Sequence, residues 1–343
     1  MKVLVTAAGG ALAPVNIMHL QDGRSHCKVV AVDVRSDAIG RYFADEFEIV
    51  PPGNDPEYVA AIVNIVRAKA VDVVLPWSDE EALALSERKA EIEAAGAVLA
   101  TEDARTLLTM CDKAETYRLL SEAGVETAHW RVVHNKEQLL KELWELKAVR
   151  GEAVVKPLVA RGNRGTFVVY SDAGAPKEFL GSRELHLGWD EFTEGFLNEV
   201  VSNLPVIVME RLVEPAIDID VLAYHGKVIH AIPRERINPA GVPFRGSIFR
   251  SSPRLLDLAA DVTRAFGLSW LYDYDVMHRR DGTPVILEVN PRPSGSIAAS
   301  LSTGVPLYDD LFDLISGKPV IEVNLPPDGT KSVPYLEIRT IQK

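Results

Sequence analysis

The chain has 343 residues, a formal charge of −12 at pH 7, 47% hydrophobic and 25% charged residues, and a pI near 5.2. That length predicts about two or three domains. The acidic balance argues against non-specific nucleic-acid binding and against an anionic membrane surface, while leaving room for a local basic pocket. No apolar run is long enough to span a membrane, and "MKVLVTAAGG" reads as a first strand rather than a signal peptide. Cys27 and Cys111 have neither the number nor the spacing of a disulfide framework or a metal site. They read as buried thiols of a cytoplasmic protein.

In chain order, "KVLVT" at 2–6 predicts a strand followed by the glycine loop "AAGG" and a helix over 15–20. "KVVAVDV" at 28–34 predicts a second strand, ending at Asp33. "EYVAAIVNIVRAKA" reads as a helix, "VDVVLPW" at 71–77 as a third strand, 79–95 as a helix with acids in its first turn, and "AVLA" at 97–100 as a fourth strand. This alternation predicts an α/β, Rossmann-like first domain over residues 1–110, a parallel sheet with helices on its faces. "AAGGALAP" lacks the G-x-G-x-x-G spacing, so a nicotinamide cofactor is not expected there.

Beyond it, "DKAETYRLLSEAGVE" at 112–126 predicts a helix capped by Asp112 and stopped by Gly124. "EAVVKPLVARGNRGTFVVY" at 152–170 predicts a hairpin with a glycine-rich basic tip, and 177–203 a polar, partly helical stretch. "LPVIVMERLV" at 204–213 reads as a strand running into a hinge. "AIDIDVLAYHGKVIHAI" at 216–232 reads as two antiparallel strands turning at "HGK". A helix over 251–266, a hairpin over 270–296 turning at Asp281-Gly282, and a helix with a closing tail after 300 complete the chain.

The last hairpin carries the strongest chemical signal. Glu288, Asn290 and Arg292 alternate in "ILEVNPRPSGS", so they share one face of a strand. Antiparallel pairing brings Asp275 opposite Glu288. Facing carboxylates repel and lose solvation, and a divalent cation bound by oxygens resolves that cost. Asn290 adds a neutral oxygen, and Arg292 can brace a phosphoryl group. Lys156 closes an apolar strand, with Gly162 and Gly165 in the loop beyond it between Arg161 and Arg164. That pattern suits a lid over polyphosphate. Lys113, opening a helix, is a second candidate phosphate ligand. Arg234, Arg236 and Arg245 stand around the turn of "IPRERINPAGVPFRGS", and arginine suits bidentate carboxylate recognition. Arg234 or Arg236 is expected near the reacting acid and Arg245 at the substrate. His230 reads as a structural histidine.

Together "DKAETYRLLSEAG", "VVKPLVARGNRG", "VMERLVEPAIDIDV" and "YDYDV…ILEVNPRPSGS" resemble, in order, the motifs of the ATP-grasp superfamily. "VLVTAAGG", "AIDIDV" and "EVNPR" look most like its carbamoyl-phosphate-synthase large-subunit branch. The resemblance implies an ATP-grasp fold of two α+β subdomains after the first domain. The small, lid subdomain would span 111–205 and the C-terminal subdomain 206–330, with a tail over 331–343. It implies that Lys113 and Lys156 contact ATP phosphates and that the loop from Gly162 to Gly165 covers them. Glu210, with the backbone at Leu212 and Val213, would hold adenine. Asp218 would hold ribose, although glutamate is commoner there. Asp275, Glu288 and Asn290 would bind Mg²⁺, usually two ions, with Mn²⁺ as an alternative. Arg292 would steady the transferring phosphoryl.

The implied activity is Mg-ATP-dependent ligation. A carboxylate becomes an acyl phosphate, ADP is released, and an amine displaces phosphate, in small-molecule biosynthesis. The partners implied are a small carboxylate and an amine; base rates suggest a homodimer. Two alternatives stay open: phosphorylation of bicarbonate or carbamate in the manner of carbamoyl phosphate synthase, and ATP binding without catalysis.

Overall fold

The structure, a computed structural model, describes residues 1–159, 165–171, 184–238, 244–320, 323–338 and 340. Among the described residues sixteen strands form three sheets. The first holds β1 (Lys2–Val5), β2 (Lys28–Asp33), β3 (Glu46–Ile49), β4 (Val73–Leu75) and β5 (Val98–Leu99) in the order β3-β2-β1-β4-β5. All four pairings are parallel, with helices Ala13–Asp22 and Tyr58–Lys69 as crossovers. The α/β expectation holds for this region. Two details differ. The helix expected over 79–95 is two, Asp79–Glu87 and Lys89–Ala94, broken at Arg88. The edge strand β3, "EFEI", is too short and too acidic to stand out in the sequence.

The glycine loop after β1 closes on the protein itself. Gly9 donates its backbone N–H to Asp33 Oδ2 at 2.7 Å, and Arg35 N–H donates to Asp33 Oδ1 at 2.9 Å. A Cβ at position 9 would lie 3.0 Å from that carboxylate oxygen, so glycine is required by the approach of the acid.

The second sheet holds β6 (Trp130–Val133), β7 (Glu152–Pro157), β8 (Phe167–Tyr170), β9 (Leu185–Gly188) and β10 (Val206–Met209) in the order β6-β10-β7-β8-β9. Helix Lys136–Arg150 packs Leu139, Leu143 and Leu146 onto Val155, Phe167 and Val208. A boundary at 205 cuts this sheet: β10 is hydrogen-bonded between β6 and β7, so the second sheet runs to Met209.

The third sheet holds β11 (Val213–Tyr224), β12 (Lys227–Arg236), β13 (Ser247–Phe249), β14 (Trp270–His278), β15 (Pro284–Asn290) and β16 (Lys331–Ser332) in the order β15-β14-β11-β12-β13-β16, all antiparallel. Because β16 pairs with β13, the segment expected as a free tail is tied to the sheet at its start. Helix Pro253–Phe266 covers one face, burying Leu255, Leu258, Ala259 and Val262 against Ile217, Ile219, Val221, Tyr272, Tyr274 and Val289. Side chains alternate across a strand. The residues between these therefore point away from the helix, and they include Asp218, Asp220, Asp273, Asp275, Glu288 and Asn290. The first and third sheets share a core: Val3, Val5, Ala31 and Leu75 join Leu222, Ile232, Phe249 and Leu271 through Leu307, Leu311 and Phe312. No helix among the described residues is long and apolar enough to cross a membrane.

Helix Lys113–Glu122 presents Lys113 to the third sheet, and its start is fixed by Asp112, whose Oδ1 accepts from Ala114 N–H at 2.8 Å and Glu115 N–H at 3.1 Å. Asp112→Ala should cost about 1 kcal/mol of stability and Asp112→Asn a few tenths, read as denaturation midpoints. Equal stability of the alanine variant would show that the cap contributes nothing.

Candidate active site

The polar face of the third sheet is built by register. Asp275 pairs with Glu288, and Asp273 with Asn290, across β14 and β15. The pairing of Asp275 with Glu288 is the one the sequence predicts. On the other side Asp218 pairs with Asp275, and Asp220 with Asp273, across β11 and β14, while Arg234 on β12 pairs with Asp218. Four neighbouring strands thus carry their charged groups on one face.

Two arginines hold these acids together. Arg234 is 0% exposed. Its Nε donates to Asp220 Oδ2 at 2.9 Å, its Nη1 to Ser247 and Ser296 hydroxyls at 3.0 and 3.2 Å, and its Nη2 to the Ser294 hydroxyl at 3.4 Å. Ser300 donates to the same Asp220 oxygen at 2.5 Å. Arg234, expected near a reacting acid, is therefore enclosed, and its donor edge is used by the protein. It holds Asp220 from beneath. Arg236 donates from Nε to Asp218 Oδ1 at 2.8 Å and from Nη2 to both Asp218 and Asp275, the latter at 2.8 Å. Asp218, expected at a ribose, is buried and committed to Arg236, with Arg234 Nη1 also 3.8 Å away.

Carboxylate oxygens of Asp218, Asp273 and Asp275 lie within 4.8 Å of one another. Burial raises the protonation of such acids, and the arginines oppose it. At Asp218 burial is outweighed by Arg236 and Arg234, and its pKa lies below the ordinary value. At Asp275 burial, with Asp218 and Glu288 beside it, outweighs Arg236 and lifts the pKa to about 6. At Asp273 burial and the neighbouring Asp218 and Asp275 push it well above the ordinary range. Asp273 Oδ1 has no hydrogen-bond partner among the described residues. Hard oxygen donors gathered this closely suit Mg²⁺ or Mn²⁺, so the side chains fit a divalent cation. Asp273 was not among the expected ligands. Its signal was in the sequence, since "YDYDV" places it two residues before Asp275 on the same face.

Arg292 sits at the strand end as expected and reaches across to the first domain. Its Nε lies 2.8 Å from Asp79 Oδ1, its Nη1 3.3 Å from Asp273 Oδ2, and its Nη2 donates to Asn290 Oδ1 at 3.3 Å. No local pattern signalled Asp79, because the contact joins residues far apart in the chain. Lys113 lies 3.2 Å from Glu288 Oε1. Lys156 is buried at the end of β7, with Nζ 5.9 Å from the centre of the Tyr117 ring. Burial, then the charge of Lys113, lowers its pKa to about 7.

The remaining expected residues lie apart from this cluster or carry less. Glu210 is 0% exposed; His129 N–H donates to its Oε1 at 2.8 Å, and Arg150 and Arg279 pair with it at 2.7 and 3.1 Å. Its carboxylate is thus occupied by the protein. Leu212 is buried and Val213 opens β11. Gly165 has φ +70 and packs against Pro157, while Gly162, Arg161 and Arg164 lie outside the described residues. Arg245 is exposed, with its backbone N–H donating to Asn238 at 2.9 Å. His230 pairs with Asp310 at 2.6 Å within the core between the first and third sheets.

Residues 202–339 match the family described as "ATP-grasp in the biosynthetic pathway with Ter operon", and residues 3–100 match "PylC-like, N-terminal domain". Over 307 residues, 81% of this chain, the sequence is 21% identical to the carbamoyl phosphate synthase arginine-specific large chain of Bacillus subtilis, and it spans 27% of that relative's length. The structure is similar to N5-carboxyaminoimidazole synthetase from Staphylococcus aureus complexed with ADP, with a TM-score of 0.69 and 14% identity over 93% of this chain and 78% of that one. It is also similar to L-amino acid ligase from Bacillus licheniformis, with a TM-score of 0.60 and 16% identity over 88% of this chain and 69% of that one. At these identities the structural likeness is one of fold, and it gives the second and third sheets the ATP-grasp architecture.

If Arg234 is the clamp beneath the acids, Arg234→Met should destabilise the protein by about 3–5 kcal/mol, because Asp220 is left buried and uncompensated. Adding Asp220→Asn should recover most of that loss. A double variant no more stable than Arg234→Met would show that packing, not charge pairing, is what Arg234 supplies.

Proposed function

We propose that this chain, whose residues 202–339 match an ATP-grasp family, is a Mg-ATP-dependent ligase that activates a small carboxylate as an acyl phosphate and joins it to an amine. The observation that carries this reading is the convergence of Asp273, Asp275, Glu288 and Asn290 on one face, with Lys113 at 3.2 Å from Glu288 and Arg292 bridging to Asp79. Asp275, Glu288 and Asn290, with Asp273 beside them, would hold Mg²⁺, which supplies charge neutralisation for a transferring phosphoryl group. Lys113 and Lys156 would meet the phosphates of ATP, and the segment from Glu210 to Val213 the adenine.

In this reading a substrate carboxylate oxygen attacks the γ-phosphorus, the bond to the β-phosphate oxygen breaks, and ADP leaves. The amine nitrogen then attacks the acyl carbon, phosphate departs, and the nitrogen loses a proton. The protein supplies position and opposite charge, not a covalent nucleophile. Asp79, drawn to the site by Arg292, makes the first domain one wall of the substrate space. The similarity to a carbamoyl phosphate synthase chain supports a second reading, phosphorylation of bicarbonate; ATP turnover that requires bicarbonate and no other acid would favour it.

Incubation with Mg-ATP, pooled carboxylic acids and hydroxylamine should yield ADP and a hydroxamate. Glu288→Gln, which keeps the side-chain shape, should reduce that yield by about 100-fold or more with the fold intact. Undiminished hydroxamate formation would remove Glu288 from the metal set.

Lys156 gives a pH signature. Its free-state pKa is about 7, and a bound polyphosphate would raise it. Binding therefore favours the protonated lysine. Affinity should be highest below pH 7 and fall by up to about tenfold per pH unit above it, until the pKa of the bound state is passed. Calorimetry of ADP binding from pH 6 to 9 should show this together with proton uptake, and Lys156→Met should flatten the profile. An equal slope in Lys156→Met would assign the titration to another group.

A further inference from the structure

Arg236 occupies a position that a metal site would not tolerate for long. Its Nη2 donates to Asp275 Oδ1 at 2.8 Å, and Asp275 is also the partner of Glu288 across β14 and β15. Its Nε holds Asp218 Oδ1 at 2.8 Å. Its side chain keeps 30% of its surface exposed, whereas that of Arg234 keeps 0% and its donor edge is filled by Asp220 and three serines. Of the two guanidiniums that hold Asp218, Arg236 is the one with room to move.

The charges on the face do not balance without a further cation. Asp79, Asp218, Asp220, Asp273, Asp275 and Glu288 stand against Arg234, Arg236, Arg292 and Lys113, all linked by the ion pairs described above. Six carboxylates thus face four cationic side chains, an excess that a divalent ion would reduce. Buried Asp273 keeps one oxygen, Oδ1, without a hydrogen-bond partner among the described residues.

We propose that Arg236 is an internal counter-ion that keeps the metal's place. A divalent cation entering among Asp273, Asp275, Glu288 and Asn290 takes over the neutralisation of Asp275, and two cations on one carboxylate repel strongly in a buried site. Arg236 then leaves Asp275 while its Nε bond to Asp218 tethers it at the edge of the site. The guanidinium hydrogen released from Asp275 turns outward as a donor to the anionic substrate, while Nε and Nη2 stay on Asp218, so metal binding and acid binding strengthen one another. This rests on the metal set given in the proposed function.

Mn²⁺ titrated calorimetrically into the full chain, with no nucleotide present, tests the exchange without relying on turnover. Arg236→Met removes the competing cation and should bind Mn²⁺ about tenfold or more tighter than the parent. Arg236→Lys, which keeps the charge but replaces the planar fork with one ammonium on a shorter side chain, should bind it tighter by a smaller factor, and it covers the case in which the methionine variant does not fold. Unchanged or weaker Mn²⁺ binding in the folded variants would overturn the exchange while leaving the metal set standing. Absence of Mn²⁺ binding in the parent and the variants alike would overturn both.

Discussion

The rest of the molecule depends on keeping several carboxylates buried on one face of an antiparallel sheet. Burial of a single unpaired charge costs more than a small domain's net stability can absorb. Here the cost is met by Arg234, wholly enclosed, and by serines that complete its hydrogen bonds. The opposite face of the same strands is continuous hydrophobic core beneath helix Pro253–Phe266. Strand alternation separates two environments: one face is apolar core, the other charged and in part open to solvent. The charged face is tolerable only while its arginines stay or a cation joins them.

That face is not the property of one sheet. Its far wall is the first domain, which is fused to the third sheet by a common core and by the pairs His230–Asp310 and Arg24–Asp310. Arg292 extends the link into the site, touching Asp79 at the start of the helix that follows β4. β1 and β4 flank the point where the order of the parallel strands reverses, the usual place for a ligand crevice. There Gly9 N–H donates to Asp33 and closes the glycine loop, and Asp79, after β4, pairs with Arg292 of the charged face.

Much of this was legible in the sequence because it rests on periodicity. Alternation in "ILEVNPR" put Glu288, Asn290 and Arg292 on one side, and the turn at Asp281-Gly282 set Asp275 opposite Glu288. The same alternation holds Asp273 and Asp220, two residues from Asp275 and Asp218 on the same face. What periodicity cannot carry is the pairing between distant strands. Whether Arg234 faces a substrate or is enclosed depends on β11, β13 and the serines after β15, none of them its sequence neighbours. Glu210 is similar: its arginines come from residues 150 and 279. β3 gave no signal because a short edge strand takes its identity from the partner beside it, and β10, legible as a strand, gave no sign that its partners are β6 and β7.

The charged face, the two lysines and the bridge to Asp79 all fit a site for passing a phosphoryl group to a carboxylate. The most direct measurement uses an acid substrate labelled with ¹⁸O in its carboxylate, incubated with Mg-ATP and an amine acceptor, with products analysed by mass spectrometry. Acyl-phosphate chemistry places one ¹⁸O in the released inorganic phosphate and leaves ADP unlabelled. AMP carrying the label, or phosphate without it, would contradict the proposed transfer to the carboxylate.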